Sequence, residues 1–343
     1  MPVVDASSEY PVVAERKVRG DQVFTIRAPQ VILNIGLVAI GLTVVLSILT
    51  RSTTVSTEVP AWLVGAALVA LAVGIPHGAV DHLTLQKSLP ARQLAGLGLI
   101  YLVIAVAAAA AVIAAPGVAF LVVLAMTVWH FGTGDVEAMH ELDGTPQESG
   151  ITRIVHALAV GSAPVLLPLT SPASVSTLTA IEPRLAEFFT PGFIVGLRTV
   201  VLSLIVISLV ILIHQKRTRA TLELTALTVL GYVVSPLLAF AVYFGFWHAL
   251  RHTARLTENT YTDITPRSLG RTFIQGIPAL IGFIVAVAIL AAFASSINVS
   301  NSWLWFGLAI VWGLTVPHMI LVSQFDRRKR KVEPAKNPEL FEL

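Results

Sequence analysis

The sequence contains no cysteine and little charge: 13% of its 343 residues are Asp, Glu, Lys or Arg, about half the share of roughly 25% usual in soluble domains. The first absence excludes disulfides, iron–sulfur clusters and thiolate metal sites. The second leaves too little polar surface for a soluble globule of this length. There is no HExxH zinc-protease motif and no Gly-rich nucleotide fingerprint. The first 30 residues are mixed and polar, without an apolar core early enough to read as a cleavable signal peptide.

What is present is apolar. Hydrophobic residues make up 55% of the chain, the mean hydropathy is +0.80, and apolar runs repeatedly reach about 20 residues. The expected fold is an all-α, polytopic integral membrane helix bundle with about 8–10 transmembrane helices. Ten apolar segments fall at about 31 to 50, 61 to 82, 94 to 115, 117 to 134, 151 to 170, 192 to 213, 220 to 235, 236 to 256, 273 to 297 and 302 to 323. The seventh is short and ends at Ser235-Pro236, where proline starts or breaks a helix. The chain is expected to comprise a polar arm (1–30), one transmembrane domain (31–325) and a basic polar tail (326–343), of which the stretch KVEPAKNPELFEL is loosely ordered.

Charge orients this threading, because Lys and Arg collect in cytoplasmic loops. With both termini cytoplasmic, 20 of the 23 basic residues lie on that side, in a multi-pass protein of the plasma membrane. The net charge of +3 thus reports helix orientation rather than nucleic acid. The same threading gathers His77, His82, His130, His156, His248, His252 and His318 at one end of the helices. Embedded ionisable groups are expensive and commonly functional. His140 and His214, in a polar loop and beside a basic run, read as surface residues.

His248 and His252 in FGFWHALRH are spaced i, i+4 on one helix face, which suits two imidazoles on one metal. Arg251 between them points to another face and marks the cytoplasmic edge. In GIPHGAVDH, Pro76 and its glycines loosen the helix beside His77, and Asp81 can accept an imidazole N–H. His130 lies in VWHFGTGD, an aromatic setting. The residues alone support several readings. These are an all-imidazole Fe, Zn, Cu or Ni site, an intramembrane zinc hydrolase of a lipid amide or ester, and a His-lined transporter or haem carrier. Trp129, Phe131, Tyr243, Phe244 and Trp247 stand near these histidines and are candidates for an apolar substrate tunnel. Trp303, Trp305 and Phe306 read as part of an outer interfacial belt.

The segments GIPHGAVDH, TVWHFGTGD, YFGFWHALRH and TVPHMILV, in this order, resemble the signature segments of the Brp/Blh family of integral-membrane β-carotene 15,15′-dioxygenases. The resemblance runs from the second span to the last and implies Fe(2+) held by four histidines, which here match His77, His130, His248 and His252. Asp81, His82 and His318 match recurring positions and are candidate catalytic residues. The implied reaction is cleavage of the central double bond of β-carotene by O2 into two retinal molecules. β-Carotene and O2 would be the substrates, membrane lipid the surroundings, and a retinal-binding rhodopsin a candidate acceptor of the product. Family members have fewer spans than ten, so the first and seventh segments are the ones in question.

Overall fold

Proline and small hydroxyl residues set most helix starts in the computed structural model, which describes residues 28–51, 65, 69–70, 72–80, 89–148, 150–261, 263–296 and 302–336. Helix α1 is Ala28–Arg51 and α2 is the single turn Pro76–Ala79. Helices α3 (Ala91–Ala114) and α4 (Pro116–Asp143) are separated by Ala115 alone, and α4 stops at Gly144, whose φ of 68° is left-handed. Next come α5 (Gly150–Leu169), α6 (Pro172–Ile181), a 3₁₀ turn (Pro183–Glu187) and α7 (Pro191–His214). Ser171 and Thr190 cap α6 and α7 by accepting the backbone N–H groups of Ser174 and Phe193. Helix α8 is Thr218–Val233, and α9 (Pro236–Val242) runs through a π-helical stretch, Tyr243–Ala249, into α10 (Leu250–Tyr261). The chain continues as α11 (Pro266–Ser296) and α12 (Ser302–Lys336).

All regular structure among the described residues is helical, as the sequence predicts. Six of the described helices, α1, α3, α4, α5, α7 and α12, are long and apolar enough to cross a membrane. The break expected at Ser235-Pro236 is present, with extended backbone at Val234 and Ser235. The expected second span, 61 to 82, lies partly outside the described residues, as does the arm before Ala28. Of the stretch KVEPAKNPELFEL, expected to be loosely ordered, the residues up to Lys336 are instead the helical continuation of α12, and the rest lies outside the described residues. Trp305 does not join an interfacial belt: it is buried against Trp312 in a cluster with Phe120 and Phe189.

Helices α4 and α5 form the centre, and α3 and α7 turn most of their apolar side chains outward. Leu99, Val106, Val195 and Val210 are all more than half exposed, as lipid-facing residues are. Between helices in lipid the attraction is close packing rather than escape from water, so small residues matter at the crossings. A Cβ on Gly132 would lie 1.8 Å from the carbonyl oxygen of Ala157, and one on Gly161 would lie 2.0 Å from that of Val128. Only glycine allows α4 and α5 to approach so closely. Gly132→Ala is expected to lower stability by about 1–3 kcal/mol and to be read as a lower thermal midpoint in detergent. An unchanged midpoint would mean that the crossing relaxes at no cost.

Hydrogen bonds tie one end of the bundle together. Arg219 donates to Asn34 of α1 at 3.1 Å, and Arg217 donates to Glu148 in the α4–α5 connection at 2.8 Å. Arg255 of α10 holds Glu141 of α4 at 2.9 Å and Asp326 of α12 at 2.7 Å. The α4–α5 connection and the ends of α1, α8 and α12 joined in this way, with α10, share one end of the bundle.

Candidate metal centre

Five buried histidines from four separate segments of the chain meet near this end. They are His77 on α2, His130 on α4, His248 in the π segment, His252 on α10 and His318 on α12, all 2–6% exposed. The ring centre of His77 lies 5.1 Å from that of His318, 5.6 Å from His248 and 5.5 Å from His252. His130 stands 5.2 Å from His248 and 5.0 Å from His318, and His252 stands 5.6 Å from His318. Imidazoles bound at about 2.0–2.1 Å to one ion have ring centres roughly 5 Å apart, so this spacing suits a shared cation. The nitrogens are not drawn onto one point, however. Among the described residues, no group of three or more His, Asp and Glu side chains forms a complete metal site.

The hydrogen bonds of two rings fix which nitrogen is available. His77 Nδ1 lies 2.5 Å from the Gly74 carbonyl oxygen, and His248 Nδ1 lies 3.0 Å from Asp135 Oδ1. A carbonyl or an ionised carboxylate only accepts, so each Nδ1 donates and, in the neutral ring, each Nε2 carries a lone pair. Nε2 of His77, His130 and His248 is buried and has no hydrogen-bond partner. A buried polar atom left in this way costs about 1–3 kcal/mol, a cost that a bound cation would remove. The residues present therefore fit a metal held by imidazole.

Asp135 is the residue that the sequence reading did not single out. Its Oδ2 accepts from the Tyr243 hydroxyl at 2.9 Å while its Oδ1 accepts from His248, and it is 3% exposed. Tyr243 and His248 are five residues apart, a separation that does not stack in an α-helix but does in a π-helix. The signal in the sequence was a carboxylate in an apolar segment, where such a group is expensive without partners.

Aromatic rings line one side of the cage. Phe131 packs on His248 with ring centres 4.3 Å apart, and Phe244 lies edge-on to His77 at 5.2 Å. Phe240 stacks on Phe244 at 5.8 Å and extends this wall. Tyr243 is fully buried, with its ring 5.3 Å from Phe131. Trp129 is 41% exposed, on the outside of α4. Trp247 is buried beneath the Arg251 guanidinium, 3.7 Å from the ring centre. Arg251 is thus not an edge marker, because it is 1% exposed and donates to Glu223 at 2.9 Å. His156 is outside the cage and paired through Nδ1 with Glu148 at 2.9 Å. His140 Nδ1 donates to the Thr145 carbonyl, and His214 is exposed. Asp81 and His82 lie outside the described residues.

The family model for beta-carotene 15,15′-dioxygenase matches residues 67–326, a span that contains all five caged histidines. The chain belongs to the beta-carotene 15,15′-dioxygenase family. Two relatives agree with this. The probable beta-carotene 15,15′-dioxygenase Blh of Halobacterium salinarum is 29% identical over 307 residues, covering 76% of this chain and 84% of its own. The beta-carotene 15,15′-dioxygenase of uncultured marine bacterium 66A03 is 27% identical over 273 residues, covering 73% and 89%. No solved structure matches the chain. In this dioxygenase family member, α1 and the basic end of α12 fall outside the matched span, as the sequence resemblance implied.

Proposed function

We propose that the chain cleaves the central 15,15′ double bond of β-carotene with O2, giving two molecules of all-trans-retinal, at an Fe(2+) centre held by His77, His130, His248 and His252. The observation that carries this reading is the buried histidine cage, in which three Nε2 atoms are left without partners inside a chain of this family. Fe(2+), when bound, supplies the redox chemistry that lets O2 react with an alkene. In that reaction the central carbon–carbon double bond and the O–O bond break, two carbonyl bonds form, and each aldehyde receives one oxygen atom. No external reductant is needed.

The protein's own contribution is position and dryness. Gly74 and Asp135 fix the tautomers of His77 and His248, so that both present lone pairs to the interior. His318 closes the side of the cage between His77 and His130. Phe131, Phe240 and Phe244 offer apolar faces on which a flat polyene can lie, with its midpoint beside the histidines. Phe131, which is buried, and the partly buried Phe240 and Phe244 also keep water from competing for the reacting carbons. A substrate dissolved in lipid never has to enter water to reach such a site, which spares the cost of exposing its apolar area. The end that bears the cage and the basic residues faces the cytoplasm of a plasma-membrane protein.

The test is expression in a β-carotene-producing host, followed by oxygen uptake and retinal formation measured on the purified protein. One O2 consumed per two retinal molecules is the expected stoichiometry. Turnover without oxygen on a zinc-loaded protein would favour a hydrolase and overturn the proposal. A Soret band with intact carotene would reveal haem and would overturn it as well.

A further inference from the structure

We propose that Asp135 and Tyr243 are positioning residues for the metal centre, and that the π-helical turn Tyr243–Ala249 exists to bring both ends of this relay to one carboxylate. The inference rests on the reading of His248 as a metal ligand. In an α-helix, successive residues are about 100° apart, so positions i and i+5 point some 140° away from each other. Here Tyr243 and His248 nevertheless reach the two oxygens of the same Asp135 side chain, at 2.9 and 3.0 Å. The wider π turn makes that possible, and π turns recur at functional sites for this kind of reason.

Asp135 holds the Nδ1 hydrogen of His248 and so commits Nε2 to the cage. It also supplies negative charge, which makes the imidazole a stronger donor to a cation. Tyr243, by binding the second oxygen, stops the carboxylate from rotating about its own bond and releasing the imidazole. A Cβ on Gly134 would lie 3.3 Å from His248 Cε1, so the residue preceding Asp135 is small where the ring passes. The order of dependence is one-directional: the Tyr243 hydroxyl, which Tyr243→Phe removes while keeping the ring against His248 and Phe131, acts on His248 through Asp135.

Metal affinity of the full-length purified protein, measured with Co(2+) or Fe(2+) in competition with a chelator, tests this without any turnover. Asp135→Ala is expected to weaken binding by about 10- to 100-fold. Asp135→Asn should weaken it less, and Tyr243→Phe by a few-fold. The double variant Asp135→Ala/Tyr243→Phe should bind no more weakly than Asp135→Ala alone, since the tyrosine has lost the group it acts through. The ligand-field absorption of bound Co(2+) should shift in Tyr243→Phe, although that side chain does not touch the metal.

Wild-type affinity and spectrum in both Asp135→Asn and Tyr243→Phe would overturn the proposal even if Asp135→Ala failed to fold. Additive losses in the double variant would also overturn it. His248→Ala separates the two levels of inference. If it retains the metal, the ligand assignment itself is wrong; if it loses the metal while Asp135→Ala and Tyr243→Phe keep theirs, only the positioning role fails.

Discussion

Replacing His248 with alanine is expected to remove retinal formation, lowering it at least 100-fold, and to strip the protein of iron during purification. His248 stands at the junction of the site. Its ring is within 5.2–5.6 Å of those of His77 and His130, its Nδ1 is held by Asp135, and its face packs on Phe131. Alanine would remove a proposed ligand and leave the Asp135 carboxylate with one partner in an apolar interior, so some loss of stability is expected beside the loss of metal. His156→Ala is the matching control. His156 is equally buried, at 2% exposed, but bonds to Glu148 outside the cage. It should lose stability while retaining iron. Metal analysis of both variants beside a folding assay separates the two effects. Full iron and activity in His248→Ala would remove it from the ligand set.

The second large effect concerns stability rather than chemistry. Arg255, 2% exposed, joins α10 to both α4 and α12 by holding Glu141 and Asp326. Removing one member of a buried ion cluster costs about 3–5 kcal/mol, because the charges left behind lose a strong partner where little water reaches them. Arg255→Met is therefore expected to destabilise the protein by about that much, even though it preserves the length and apolar volume of the side chain. The triple replacement Arg255→Met/Glu141→Gln/Asp326→Asn should recover much of the loss. Denaturant or thermal unfolding in detergent reads both values. Equal stability of Arg255→Met and the unaltered protein would show that water reaches these groups.

Arg255 and Arg251 also show where reading from the sequence stops. A positive charge after an apolar run marks a membrane edge by the statistics of loops, and Arg251 reads that way in FGFWHALRH. The structure turns Arg251 inward onto Trp247 and Glu223. Its partner lies 28 residues away on α8, and no local spacing encodes that pairing. The same limit applies to Asp135, whose two partners lie more than 100 residues further along the chain. The histidines were easier. An ionisable ring in an apolar segment stands out by its cost alone, and His248 and His252 are legible as a pair from their i, i+4 spacing.

The fold was legible for a related reason. Length and hydropathy decide whether a helix can cross a membrane, and both are local properties. The aromatic residues were less so, because a ring near a histidine in sequence can face either way on a helix. Phe131 faces the cage and Trp129, two residues earlier, faces outward. The small residues at the α4–α5 crossing belong to the same class: Gly132 and Gly161 acquire meaning only when the two helices are set side by side.

The central claim is that histidine-held iron in this chain cleaves β-carotene. It is tested most directly by measuring retinal formed per unit time against iron content, across preparations of one batch of protein with graded iron loading. The account predicts initial rates that rise in proportion to bound iron and extrapolate to zero in the chelated protein. Retinal formation by iron-free protein, or fully iron-loaded and folded protein that leaves β-carotene intact in the presence of oxygen, would contradict it.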